Sequence, residues 1–132
     1  MPATHNIDSE LRLIITVWEG EATDSEFIEA LIKYHNVIQS NSEYINYNEI
    51  VNLIKAVPMK LTTGGLLKIG SIASKAEKKI INKKMALVVG TDFAFNLANL
   101  YIFYRNIGII SRKKIRVFKS EGEAYSWVTS DA

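Results

Sequence analysis

The stretch from Met85 to Val128 constrains the fold most, because strand and helix signals alternate along it. The apolar run MALVVG predicts a strand, a helix begins at Thr91 or Asp92, and IRVF at 115–118 predicts another strand. Ser120 and Glu123 then have the spacing of a capping box, in which a hydroxyl and a carboxylate satisfy backbone N–H groups at a helix start. A β-α-β-α order of this kind favours parallel strands joined by right-handed crossovers.

The first half of the chain repeats this alternation. The run from Leu11 to Trp18 is apolar on both alternating faces, which is typical of a strand covered on both sides. A capping box at Thr23 and Glu26 predicts a helix that continues to Gln39. A second strand is expected over 48–54, and a helix from Thr62 or Thr63 to about residue 79. We therefore predict an α/β fold, a βα superhelix with a mostly parallel sheet of four to five strands and four helices, in a single domain of residues 1–132.

Composition indicates the cellular compartment that we expect for the protein. The 132 residues include no cysteine, which suits a reducing compartment such as the cytoplasm. No apolar run approaches the roughly 18 residues of a membrane span, and the amino terminus lacks the basic and apolar order of a signal peptide. We expect a soluble cytoplasmic protein.

Charge is segregated along the chain despite a net charge of +2. Residues 60–119 hold thirteen bases and two acids, whereas residues 1–59 hold three bases and nine acids. In a parallel sheet, two basic clusters would meet at the amino ends of the third and fourth strands, while acids gather at the opposite end. The predicted basic patch comprises Lys79, Lys83, Lys84, Arg112, Lys113 and Lys114. Favourable pairing of bases with helix ends explains this layout without a partner. The alternative is a basic end that contacts acidic protein or anionic lipid. Nucleic acid is not expected, because no aromatic side chain is interleaved with the bases.

Two further features suggest binding surfaces. An anion could bind at the start of the second helix, where unpaired N–H groups and the helix dipole favour negative charge. The residues assigned to this site are Thr62, Thr63, Gly64 and Asp92. The alternative is a capped helix with flexible glycines. The third helix is apolar around most of its circumference, which favours a subunit interface through Phe95, Tyr101, Ile102, Phe103 and Tyr104, a lipid-like pocket between helix and sheet, or coverage by the last helix.

No group of residues in the sequence predicts catalysis. His5 and His35 are separated and lack a neighbouring carboxylate cluster, and no serine has a base at a recognisable spacing. Neither phosphate-loop nor dinucleotide-binding spacing is present. We predict no catalytic residue, no metal site and no cofactor.

The last third of the chain resembles the bacterial SpoIIAA-like family, relatives of the STAS domains. The resemblance is carried by Val117, Phe118, Ser120, Glu123, Ala124, Trp127 and Val128. It implies a βα superhelix shared with lipid-carrying SEC14-like domains and with anti-sigma-factor antagonists. Such antagonists carry an Asp-Ser pair at the start of the second helix, where this chain has Thr62 and Thr63, and family members tend to have an aspartate where this chain has Asn52.

Three roles follow as expectations. The first is a non-enzymatic binding or regulatory module that forms a homodimer through its third helix or binds another protein. The second is a carrier or sensor of a lipid-like or amphipathic small molecule, as the SEC14-like side of the resemblance implies. The third is an enzyme whose site residue spacing does not reveal.

Overall fold

The computed structural model of the protein describes residues 2–76, 83–106 and 113–130. These residues form seven strands and four α-helices. In chain order they are β1 (Ala3–Asp8), β2 (Leu13–Glu19), β3 (Ala22–Thr23), α1 (Asp24–Tyr34), β4 (Asn48–Lys55), β5 (Met59–Lys60), α2 (Thr63–Ala76), β6 (Lys83–Val88), α3 (Asp92–Asn106), β7 (Lys113–Phe118) and α4 (Glu121–Val128).

The main sheet has the strand order β1-β2-β4-β6-β7, and β2, β4, β6 and β7 are parallel. Leu13 pairs with Asn48, Glu49 with Met85, and Lys83 with Lys113. The predicted α/β class and mostly parallel sheet are confirmed. All four parallel strands therefore start at one end of the protein.

The strand β1 was not predicted. It pairs antiparallel with β2 along six residues and forms one edge of the sheet. Its sequence, ATHNID, lacks the apolar run that marks β2, and only its pairing with β2 makes it a strand. The short strands β3 and β5, which pair with each other in a second sheet, were missed for the same reason.

The helices begin where the sequence predicts, but α1 ends earlier than predicted. Thr23 and Ser120 accept hydrogen bonds from the Glu26 and Glu123 N–H groups, as expected of N-caps. Instead of one helix to Gln39, α1 ends at Tyr34 and a π-helical turn covers His35–Gln39. The predicted ends of the second and third helices lie outside the described residues. Among the described helices, none combines the length and apolar character needed to cross a bilayer.

The two faces of the sheet carry separate cores. On one face α1, α2 and α3 cover Trp18, Leu53, Met85 and Leu87. On the other face α4 covers a smaller core built from Leu13, Ile50, Ala86, Val88, Phe118, Ala124 and Val128. Because side chains alternate along a strand, β4 and β6 contribute odd-numbered residues to the first core and even-numbered residues to the second.

Candidate ligand cavity

An internal cavity of about 130 Å³ lies between the main sheet and helices α1, α2 and α3. We call it the inner cavity. Its floor is formed by apolar sheet side chains, among them Trp18, Val51, Leu53, Met85 and Leu87. The surrounding surface is almost entirely apolar, so the space favours an apolar occupant over water.

Small side chains on the helices leave this space open. Ala30, Ala73, Ala94 and Ala98 face the cavity from α1, α2 and α3. None of the eleven residues of α1 is buried, although Phe27, Ala30 and Leu31 of that helix turn toward the first core. On the α1 side the cavity is therefore covered by residues that are at most half-buried, whereas α2 and α3 bury several residues each.

A buried ion cluster lies at one end of the inner cavity, where the parallel strands start. The Glu49 carboxylate is 2.6 Å from Lys83 Nζ and 2.9 Å from Lys113 Nζ. All three side chains are nearly inaccessible to solvent. Buried charges of this kind are tolerated only when they are paired and hydrogen-bonded.

Protonation of Glu49 is controlled by these neighbours. Burial alone would raise the pKa of its carboxyl group, but the charges and hydrogen bonds of Lys113 and Lys83 outweigh burial and lower the pKa to about 2. The carboxylate is therefore negatively charged throughout the physiological pH range. This negative charge holds the ammonium groups of Lys83 and Lys113 in place.

The π-helical turn after α1 supplies further polar groups to this cluster. Gln39 is buried, its Oε1 accepts from Lys83 Nζ at 2.9 Å, and its Nε2 donates to the Tyr34 hydroxyl at 3.3 Å. The Tyr34 hydroxyl in turn donates to Glu49 Oε1 at 3.2 Å. Turns of the π type occur often at functional sites. These bonds close the strand-start end of the inner cavity.

Beside the inner cavity, a groove of about 250 Å³ lies between β1 and α1. We call it the outer groove. Its lining mixes apolar residues, including Val37 and Ile38, with the charged residues Glu26, Glu29 and Lys33. Four residues line both the inner cavity and the outer groove: Ala3, His5, Ala30 and Tyr34.

At the predicted anion site, the start of α2, the structure places the side chain of Asp24. The Asp24 carboxylate accepts the Thr62 N–H at 2.9 Å and the Thr62 hydroxyl at 2.5 Å. It lies so close to Gly65 that a Cβ there would overlap it. An internal carboxylate therefore takes the position that an anion would occupy.

The other members of that predicted site do not complete it. Thr63 and Gly64 are exposed. Asp92 lies at the first turn of α3, where it pairs with Lys119, and the hydrogen bond from Lys119 holds the pKa of Asp92 below its usual value. Asn52 donates through its amide to Glu121 Oε1 at 2.7 Å.

The five residues of the predicted interface on α3 differ in exposure. Phe103 is 60% exposed, and Phe95, Ile102 and Tyr104 are half-buried. Tyr101 was expected at a surface, but it is buried because it follows Ala94 and Ala98 on the stripe of α3 that faces the inner cavity. Coverage by the last helix is also wrong, since α3 and α4 pack on opposite faces of the sheet.

The structure divides the predicted basic patch between buried and exposed positions. Lys83 and Lys113 are buried against Glu49, because alternation along β6 and β7 points them into the first core. Lys84 is half-buried and donates to the Trp127 and Ser130 carbonyl oxygens at 3.0 and 2.9 Å. Lys114 is exposed. Lys79 and Arg112 lie outside the described residues.

Neither histidine belongs to a metal-like cluster in the described part of the chain. His5 Nδ1 is 2.7 Å from the Thr16 hydroxyl, and the His5 ring packs against Tyr34 with centroids 4.9 Å apart. The ring of His35 lies edge-on to Tyr34. Within residues 2–76, 83–106 and 113–130, no three His, Asp or Glu side chains converge as metal ligands would.

Sequence reasoning missed Glu49 as a functional candidate, although a signal was present. Glu49, Val51 and Leu53 alternate on one face of β4, so a carboxylate occupies a position where the pattern requires an apolar residue. The strands β6 and β7 begin at Lys83 and Lys113, two residues earlier than predicted. With the correct strand starts, the register places both lysines beside Glu49.

The protein has a SpoIIAA-like fold. A crystal structure of an uncharacterised protein of the DUF3478 family with a SpoIIAA-like fold, from Shewanella loihica PV-4, is similar to it, with a TM-score of 0.59 and 11% sequence identity. The similarity covers 96% of this chain and 91% of the other. No family model matches the chain, and no curated protein matches it. At this identity the likeness establishes the fold alone.

Proposed function

We propose that the protein is a non-enzymatic binding module that carries or senses a small lipid-like or amphipathic molecule. The inner cavity carries this proposal, because an apolar space of about 130 Å³ between the sheet and three helices is an unusual feature in a domain of this length. Natural cores are close-packed, and an unfilled space sacrifices the dispersion contacts of its lining residues. A bound apolar group would restore those contacts.

The size of the inner cavity limits what it holds. An engineered apolar cavity of about 150 Å³ binds benzene and remains free of water. The inner cavity, about 130 Å³, is close to that size and suits a small ring or a short alkyl segment. The proposed occupant therefore places an apolar group of about this size beside Trp18 and Leu87.

Benzene tests the proposal in the full chain. At ten times its dissociation constant, a ligand that binds only the folded state adds about 1.4 kcal/mol of stability, which for this chain length raises Tm by about 3–5 °C. Ala73→Leu fills the cavity from α2 and should abolish this rise. Ala76→Leu changes an exposed position of the same helix and should retain it. Absence of any rise for the unmodified chain would contradict the proposal.

A second candidate function is self-association or binding of another protein through α3. Phe103 supports it, because a large aromatic side chain that is 60% exposed next to half-buried Ile102 and Tyr104 is the pattern of a contact surface. Sedimentation of the unmodified chain should then give a homodimer, and Phe103→Ser a monomer. Phe93→Ser, which changes an equally exposed ring at the other end of α3, is the matched control.

Native mass spectrometry separates the two candidates. A monomer that retains a bound small molecule supports the carrier or sensor. An empty dimer supports the protein-binding module. The proposal includes a cytoplasmic location, which the lack of cysteine in the sequence supports.

A further inference from the structure

The inner cavity and the outer groove adjoin each other next to β1 and α1. Ala3, His5, Ala30 and Tyr34 line both spaces. His5 and Tyr34 form the contact across this wall, with ring centroids 4.9 Å apart. His5 lies on the edge strand β1, and Tyr34 is the last residue of α1 before the π-helical turn. Tyr34 is held by its hydrogen bonds with Glu49 and Gln39, whereas His5 is exposed, so rotation of the His5 side chain would join the two spaces.

The Glu49 cluster closes the inner cavity next to this wall, and Tyr34 belongs to both. There Glu49, Lys83, Gln39 and Tyr34 bond to one another. Entry of a polar group at that end would require several buried charge-assisted bonds to break, each of which is stronger than a neutral hydrogen bond. The outer groove presents Glu26, Glu29 and Lys33 near solvent instead. A polar group is accommodated at lower free energy on the groove side.

We infer that the occupant is an elongated amphiphile, an alkyl chain with one polar end, whose apolar end fills the inner cavity and whose polar end lies in the outer groove after crossing between His5 and Tyr34. This inference rests on the proposed function and specifies its ligand. A chain is favoured over a ring system because the contact between the His5 and Tyr34 rings needs to open least for a narrow ligand. Burial and the charge of Lys33 lower the pKa of His5, which keeps its imidazole neutral beside an apolar chain.

The volumes agree with a ligand that occupies both spaces. Pockets for small organic ligands have volumes of roughly 300–1,000 Å³. The inner cavity alone, about 130 Å³, is below this range, whereas the inner cavity and the outer groove of about 250 Å³ together enter it. A ligand confined to the inner cavity would be no larger than benzene.

A series of linear primary alcohols from butanol to decanol tests the inference. For the unmodified chain, the dissociation constant should fall about fourfold for each added methylene. The fall should continue beyond about six carbons, at which the inner cavity is full. Val37→Trp places a large ring in the outer groove and should stop the fall near hexanol. Leu67→Trp, at an exposed position of α2 outside both linings, should leave the series unchanged.

The results separate the inference from the proposed function. If benzene fails to bind the unmodified chain, the proposed function fails and the inference fails with it. If benzene binds but the alcohol series levels off near hexanol, or Val37→Trp leaves decanol binding unchanged, the inference alone is wrong. Benzene binding should survive Val37→Trp, because that ring lies outside the inner cavity.

A brominated alcohol tests the direction of the chain. In Trp127→Phe protein, Trp18 is the remaining tryptophan, and it lines the inner cavity. 8-Bromo-1-octanol carries its heavy atom at the apolar end, so it should quench Trp18 fluorescence strongly. Binding of this probe without quenching would place the polar end inside and overturn the proposed orientation.

Discussion

The two faces of the main sheet are packed differently. On the α4 face, Leu13, Val88 and Ala124 are almost completely buried, and α4 lies directly on the strands. On the opposite face three helices cover more apolar surface, yet they leave the inner cavity open and enclose an ion cluster. The smaller face is therefore close-packed, whereas the larger face retains space and charge at a cost in stability that a binding function would explain.

Removal of the Glu49 charge should produce the largest effect. Glu49→Gln removes the carboxylate that both Lys83 Nζ and Lys113 Nζ contact, and loss of one member of a buried ion pair typically costs about 3–5 kcal/mol. Urea unfolding measures this change. Glu29→Gln, at an exposed position of α1, should change the free energy of unfolding by less than about 0.5 kcal/mol. A loss below 1 kcal/mol for Glu49→Gln would show that the cluster is not a structural requirement of this face.

Acid should lower the free energy of unfolding through the ion cluster on the same face. The pKa of Glu49 is lowered from 4.5 to about 2 on folding, so the unfolded chain binds more protons between these values. Stability that this carboxylate contributes is present above pH 4.5 and is lost as pH falls toward 2, by up to about 3 kcal/mol. The difference in unfolding free energy between the unmodified chain and Glu49→Gln should therefore narrow over this range. A constant difference would contradict the assigned pKa shift.

Enlarging one alanine on each face compares their packing directly. Ala124→Leu on α4 adds volume to a close-packed core and should cost about 1–3 kcal/mol. Ala73→Leu on α2 extends into the inner cavity and should cost less than about 1 kcal/mol or stabilise the protein. Thermal unfolding of the two variants gives both values. Equal losses would show that the inner cavity does not accept added volume.

The smallest expected effect concerns the joint between α1 and α2. Thr62→Val removes the hydroxyl that donates to Asp24 and accepts the Gly65 N–H, so it should cost about 1 kcal/mol. Thr63→Val changes a neighbouring exposed hydroxyl and serves as the matched control. If both variants unfold at the same denaturant concentration, the Asp24 contact does not stabilise this joint.

The parallel strands and helix starts could be predicted because their signals are local. Apolar runs such as residues 13–18 and capping residues such as Thr23 and Ser120 act within one turn or one strand. The edge strand β1 could not be predicted, since its polar sequence is extended only by pairing with β2. Strands and helices with a local sequence signal can thus be predicted, whereas a strand that forms only by pairing with a neighbour cannot.

The candidate site was harder to predict than the fold. Its residues come from β1, α1, β4, β6 and β7, and small errors at strand starts were enough to leave Lys83 and Lys113 on the surface. The cavity itself has no sequence signal, because Ala73 and Ala98 look like ordinary helix residues until their partners across the space are known. The volume of the cavity depends on the sizes of many side chains from different elements, and a local sequence pattern does not give that sum.

The edge position of β1 has a practical consequence for handling the protein. Ala3 and His5 of this strand line the inner cavity and the outer groove, and the Pro2 carbonyl accepts the Glu19 N–H at 2.9 Å. A purification tag fused immediately before this strand, or a truncation within it, would alter the proposed passage between His5 and Tyr34. A carboxyl-terminal tag would leave that passage unchanged.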